Sequence, residues 1–126
     1  MQIIYVAIGG AAGAVSRYLI NIFMSSYMPH LLFTGTTVVN ITGCFIMGIL
    51  FELFRSKTPD DCLILLLMVG FLGGFTTFSS FSSEAISIIE KKEIISGIAY
   101  IAVNLFGSLL SITAAIFLTK FLLKSV

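Results

Sequence analysis

The stretch Gly70-Phe71-Leu72-Gly73-Gly74-Phe75-Thr76-Thr77-Phe78-Ser79-Ser80-Phe81-Ser82-Ser83 decides how this chain is read. It sits inside a long apolar segment, yet it carries three glycines, six hydroxyls and four phenylalanines. A helix that had only to cross a bilayer would gain nothing from this, because Gly weakens a helix and Ser and Thr compete for backbone hydrogen bonds. Irregular backbone at membrane depth is tolerated only where it is buried in protein or lines a wet cavity. The stretch is therefore read as the functional centre.

Working outward, four apolar segments cover about 3–27, 34–54, 62–89 and 94–118. Each reaches the roughly 20 residues that a hydrocarbon core demands. The fold class that follows is an all-α membrane protein with four transmembrane helices in a single domain over 1–126. Pro29, between Met28 and His30, marks the first turn, the polar run 55–61 the second, and Glu90-Lys91-Lys92-Glu93 the third. Connections this short make consecutive helices antiparallel neighbours. The third segment, at about 28 residues, would reach roughly 42 Å as one straight helix. That overshoots a core of about 30 Å, so a break is expected at Gly73-Gly74-Phe75-Thr76-Thr77.

Composition agrees with a membrane protein. Hydrophobic residues make up 58% of the chain and charged ones 10%, against about 25% charged in a soluble domain. The first run lacks a basic leader and contains Arg17, so it is read as a retained span and not a cleaved signal. A net charge of +1 leaves no footprint for nucleic acid. Cys44 and Cys62 have no metal-ligand spacing and are read as small buried apolar residues. No Ser-His-Asp set, His-Cys cluster or paired carboxylate is present, and the glycine-rich stretch lacks the Lys of a phosphate loop. The chain is not read as an enzyme.

Charge specifies orientation weakly. Arg55, Lys57, Lys120 and Lys124 fall on one side of the expected topology, and Lys91 and Lys92 on the other. A bias of four to two is small for the positive-inside rule, and such a chain can insert both ways. A four-helix protein of this size also has little interior, so a pore would need a second copy to complete it. Gly9 and Gly13 form a GxxxG pair that serves either packing within one subunit or a dimer face.

Polar groups inside a span are costly and need a partner or a task. Asn40 stands in the middle of the second segment, where its amide either ties helices together or aims N–H at an anion. Ser96, Tyr100, Asn104, Ser108 and Ser111 recur in the fourth segment within an arc of about 120°, the pattern of a helix lining a water-accessible path. Arg17 has no acid in its own segment to pair with; it either snorkels or sits in an anion-attracting vestibule. Glu84 lies near enough to the Glu90 end to reach water, and no carboxylate stands at the centre of a span, which argues against a proton-coupled carrier. Phe78 and Phe81, three apart, are core residues by spacing alone. Among Thr77, Ser79, Ser80 and Ser82, however, their positive ring edges suit an anion.

Gly9-Gly10-Ala11-Ala12-Gly13-Ala14-Val15-Ser16-Arg17-Tyr18, then Asn40 with Gly43 and Phe45, then Gly73-Gly74-Phe75-Thr76-Thr77-Phe78-Ser79-Ser80-Phe81 closely resemble the Fluc (CrcB) family of small fluoride channels. The resemblance covers nearly the whole chain. It implies a fluoride-selective channel that exports fluoride passively across the cytoplasmic membrane, built as an antiparallel homodimer with two pores. It assigns Phe78 and Phe81 to the paired pore phenylalanines, Asn40 to the pore asparagine, and Ser79 and Ser80 to the hydroxyls beside them. Tyr100 and Ser108 match the polar track of the fourth helix, with Asn104 where a hydroxyl is more usual. It further implies a structural sodium ion at the dimer interface, held by the backbone carbonyls of Gly73 and Thr76, and it matches Arg17 to the arginine of the first helix. A small multidrug-resistance transporter shares the length, the span number and dual insertion, but that class depends on an acid in the first span, and Gly9 to Tyr18 has none.

Overall fold

Among the described residues, four helical spans are long and apolar enough to cross a membrane: Gln2–Tyr27, Gly35–Ser56, Asp61–Glu90 and Ile94–Lys124. They belong to a computed structural model that describes residues 2–27, 34–57 and 59–124. The turn expected at Pro29, and Thr58 of the second polar loop, lie outside the described residues. The first, second and fourth spans are the single helices α1 (Gln2–Tyr27), α2 (Gly35–Ser56) and α6 (Ile94–Lys124). The third is composite. It opens as α3 (Asp61–Leu63), continues as a π-helix over Ile64–Leu72, closes with the one-turn α4 (Gly73–Phe75), and resumes as α5 (Phe78–Glu90). Between α4 and α5, Thr76 (φ −76°, ψ 155°) and Thr77 (φ −151°, ψ 126°) are extended.

Side-chain caps set several of these boundaries. Thr34 accepts from the Thr37 N–H at the start of α2, Asp60 from Cys62 at α3, and Thr77 from Ser80 at α5, which satisfies donors that a helix start leaves orphaned. Thr77 therefore acts twice, as an extended residue and as the cap that restarts the helix. α5 ends at Glu90 with Lys91 as its C-cap, and Lys92 takes a positive φ of 64° to turn the chain into α6.

α1 packs against the π-helix and α4, and α2 against α6. The first contact is made by backbone. Gly9 and Gly13 are buried, and a Cβ on either would overlap the carbonyl oxygen of Leu66 or Phe71 respectively. Those carbonyls are five residues apart and the glycines four, so one turn of π-helix lies against one turn of α-helix. The GxxxG pair thus serves packing within the chain. Gly74 belongs to the same seam, since a Cβ there would meet the Gly10 carbonyl at 2.5 Å; its smallness answers to α1, while the extended backbone is confined to Thr76 and Thr77.

α2 and α6 run parallel, as the successive pairs Thr37 with Asn104, Ile41 with Ser111 and Gly48 with Ala115 show. The apolar core is small: Val39, Leu72 and Phe75 in one cluster, Phe81, Ala85 and Tyr100 in another. Many large apolar side chains face outward, among them Ile8, Leu19, Phe23, Phe106, Leu110 and Phe117, an arrangement that suits lipid and not water. Near the end of α2, Glu52 is buried, with one oxygen 3.2 Å from Arg55. Its Oε2 has no hydrogen-bond partner among the described residues.

Candidate functional site

The extended pair frees backbone groups that α4 and α5 cannot satisfy, and Asn40 takes up those of Thr77. Its Oδ1 accepts the Thr77 N–H at 2.8 Å, and its Nδ2 donates to the Thr77 carbonyl at 3.0 Å. One side chain at mid-span in α2 therefore closes both hydrogen bonds of one residue in the third span. Unmet inside a bilayer, each would cost several kcal/mol. Asn40 Nδ2 donates a further bond to Asn104 Oδ1 at 3.0 Å, and Asn104 Nδ2 donates to Thr37 Oγ1 at 2.8 Å. Asn104 and Thr37 are buried, at 3% and 1% exposure.

Beside this relay lies a cavity of about 170 Å³ lined by Asn40, Cys44, Thr76, Thr77, Phe78, Phe81, Asn104, Leu105 and Ser108. A water takes about 30 Å³ of liquid volume, so a few waters or a small hydrated ion fit. Its polar atoms are amides, hydroxyls and a thiol, with no ionised group in its wall. Phe78 and Phe81 stand with ring centroids 5.4 Å apart and planes inclined at 59°. They differ in setting: Phe81 is buried on Tyr100, whereas Phe78 is 76% exposed and projects from the chain.

The structure thus brings Asn40, Phe78, Phe81, Asn104 and Ser108 around one space. Ser79 and Ser80 are not in its wall; their hydroxyls gather 3.2 Å from Thr77 Oγ1 at the start of α5. Tyr100 is one turn from Asn104 in a second polar group. Its hydroxyl donates to Glu84 Oε2 at 2.6 Å, Thr36 Oγ1 donates to Glu84 Oε1 at 2.6 Å, and Thr34 Oγ1 lies 3.3 Å from the Tyr100 oxygen. Because the Tyr100 proton goes to the carboxylate, Thr34 is the donor to Tyr100. Ser111, on the same expected stripe, donates to the Ile41 carbonyl at 2.9 Å and belongs to helix packing.

Arg17 is half-buried, and its Nη1 lies 3.5 Å from the Thr76 carbonyl. Gly73 nearby is exposed, and the N–H that would close the next helical turn on its carbonyl, that of Thr77, is taken by Asn40. Two carbonyls at a helix end suit a small hard cation as a donor set, although the Arg17 guanidinium already contributes positive charge at one of them.

Thr37 and Cys44 were not singled out by sequence as site residues. Thr37 had a signal available: it lies three residues before Asn40, on the same helix face. Cys44, read as a buried apolar residue, is half-buried and lines the cavity; Cys62 is half-buried as well.

Four long apolar helices, with a partly open cavity between them lined by amides, hydroxyls and two phenylalanine rings, define a small multi-pass membrane protein. The chain belongs to the CrcB-like family. Residues 4–116 match the family model described as CrcB-like protein, Camphor Resistance (CrcB). Among its relatives, a Pseudomonas fluorescens (strain Pf0-1) protein is 39% identical over 120 residues, covering 94% of this chain and 96% of the relative. One from Rhizobium johnstonii is 43% identical over 117 residues (92% and 94%), and one from Hahella chejuensis is 42% identical over 123 (97% of each). All three are named fluoride-specific ion channel FluC.

Proposed function

We propose that this chain forms a fluoride-selective channel that lets fluoride leave the cell passively across the cytoplasmic membrane. The observation that carries the reading is the cavity between Asn40, Asn104, Ser108, Phe78 and Phe81, in a chain whose relatives carry the name of that activity. Fluoride is small and strongly hydrated, so a path for it must replace its water with close donors. Amide N–H, hydroxyls and the positive edges of tilted rings do this without a fixed cation that would hold the ion too tightly to leave. Passive exit is useful because HF crosses lipid and ionises inside. No covalent chemistry is required.

The channel is built from two copies inserted in opposite directions. Phe78, projecting at 76% exposure beside a cavity, and the exposed Gly73 support a partner at this surface. The weak charge bias of the loops supports dual insertion. A structural sodium ion at the two-fold axis would be held by the Gly73 and Thr76 carbonyls of both copies, where it would neutralise converging helix-end dipoles. Arg17, on Thr76, lies between this centre and the vestibule through which anions enter.

The test is efflux from liposomes loaded with fluoride or with chloride. Fluoride is expected to leave much faster, and comparable rates overturn the proposal. Tags on both termini, read for accessibility in intact cells, should report both orientations.

A further inference from the structure

Asn40 spends both of its N–H groups within the protein, on the Thr77 carbonyl and on Asn104 Oδ1. An anion arriving in the cavity that Asn40 and Asn104 both line therefore meets an Asn40 amide with no free donor. Of the two acceptors, the Thr77 carbonyl is backbone between two helices and is held by Asn40 at its own N–H as well. The Asn104 carbonyl ends a side chain and turns about a single bond. Its far contact can follow the turn: Thr37 Oγ1 now accepts from Asn104 Nδ2, and its hydroxyl, which also faces the Tyr100 oxygen, can swing its proton to an amide oxygen instead. With Thr37 buried, no bulk water competes for that hydroxyl.

We propose that Asn104 is an anion-driven amide switch: its side chain turns end for end, gives up its carbonyl contact with Asn40, and the anion is held between the two asparagine amides. Without an anion the turned state sets two donors against each other, so the amide closes back. A charged acceptor favours the turned state over water because charge-assisted hydrogen bonds are roughly twice as strong as neutral ones. This rests on the channel reading above, and it gives this chain a device that a hydroxyl, more usual at this position in the family, would replace without turning, since Ser or Thr has no separate donor and acceptor ends to exchange.

The test uses the full chain in lipid nanodiscs with its three asparagines, Asn21, Asn40 and Asn104, labelled with ¹⁵N. Fluoride is expected to shift the side-chain NH₂ signals of Asn40 and Asn104 together and to couple them to ¹⁹F, with chloride leaving both in place. In liposomes, Asn104→Leu and Asn104→Asp are expected to slow fluoride efflux by about tenfold or more, a barrier higher by about 1.4 kcal/mol. Thr37→Val should slow it too, with Thr37→Ser restoring it. An Asn104 signal unmoved by fluoride, or wild-type efflux in Asn104→Leu, overturns the switch while leaving the channel intact. Absence of fluoride efflux from the wild-type chain overturns the channel reading itself.

Discussion

α1 meets the π-helix and α4 with backbone against backbone, through Gly9, Gly13 and Gly74, whereas α2 meets α6 and Thr77 through hydrogen bonds made by the side chains of Asn40, Asn104 and Ser111, with Thr37 accepting one. Lipid removes the hydrophobic drive that would press helices together in water, so each seam must rely on close packing or on hydrogen bonds. The glycine seam takes the first course and has no room left in it. The polar seam takes the second around Asn40 and Asn104, where a cavity remains beside it, and closes on Gly48 further along. What the difference teaches is that the site lies on the seam that hydrogen bonds support, while the glycine seam keeps α4 in register so that Thr76 and Thr77 face Asn40.

The strongest way to break this comparison is to add bulk to the dry side. Gly13→Leu would drive a side chain into the Phe71 carbonyl, and backbone cannot give way as a side chain can. The expected cost is about 3 kcal/mol or more, read as a large fall in the thermal midpoint in detergent, with fluoride efflux lost along with the fold. A variant of wild-type stability would show that α1 is not held by this contact.

Asn40→Leu attacks the other seam at its centre. It removes three hydrogen bonds and leaves the Thr77 N–H and C=O without Asn40, at a cost of about 2–3 kcal/mol. Efflux per folded channel should vanish as well, which distinguishes the two seams: damage to the polar one removes function even from molecules that remain folded.

Phe78→Ile and Phe81→Ile sharpen the contrast further. Phe81 is buried, and its replacement should cost on the order of 1 kcal/mol. Phe78 is exposed in the single chain and should cost less. Both should nevertheless lose most fluoride efflux, because an aliphatic group has no positive edge to offer an anion. Normal efflux from both variants, with assembly verified by gel filtration, would return the rings to a packing role.

The smallest effect is expected at Ser111. Its hydroxyl bonds to the Ile41 carbonyl, outside the cavity wall, so Ser111→Ala should cost about 0.5–1 kcal/mol and leave efflux near wild type. Marked loss of efflux would place Ser111 in the path and extend the functional stripe along α6.

The stripe itself shows how far periodicity reaches. A spacing of three and four residues puts Tyr100, Asn104, Ser108 and Ser111 on one arc of α6, but they have separate neighbours: Glu84 for Tyr100, Asn40 and Thr37 for Asn104, the cavity for Ser108, and the Ile41 carbonyl for Ser111. Likewise the GxxxG pair signals close contact without naming its partner, and the serines after Phe78 are hydroxyl-rich without revealing that Thr77 gathers two of them. The π-helix has no simple sequence signature, since its i→i+5 bonds form under the same apolar residues as an α-helix.

By itself, then, the sequence determined what is local or additive: that the chain is helical and crosses a membrane, because some 20 consecutive apolar residues can span lipid in no other way, and that Asn40, Arg17 and the stretch around Thr76 are too costly there to be without a role. Only the tertiary structure decided which groups meet those costs. Asn40 finds Thr77 37 positions away and Asn104 64 positions away, and no periodicity within one helix encodes such distances; they arise when glycines on one seam and amides on the other dock separate helices in a single register.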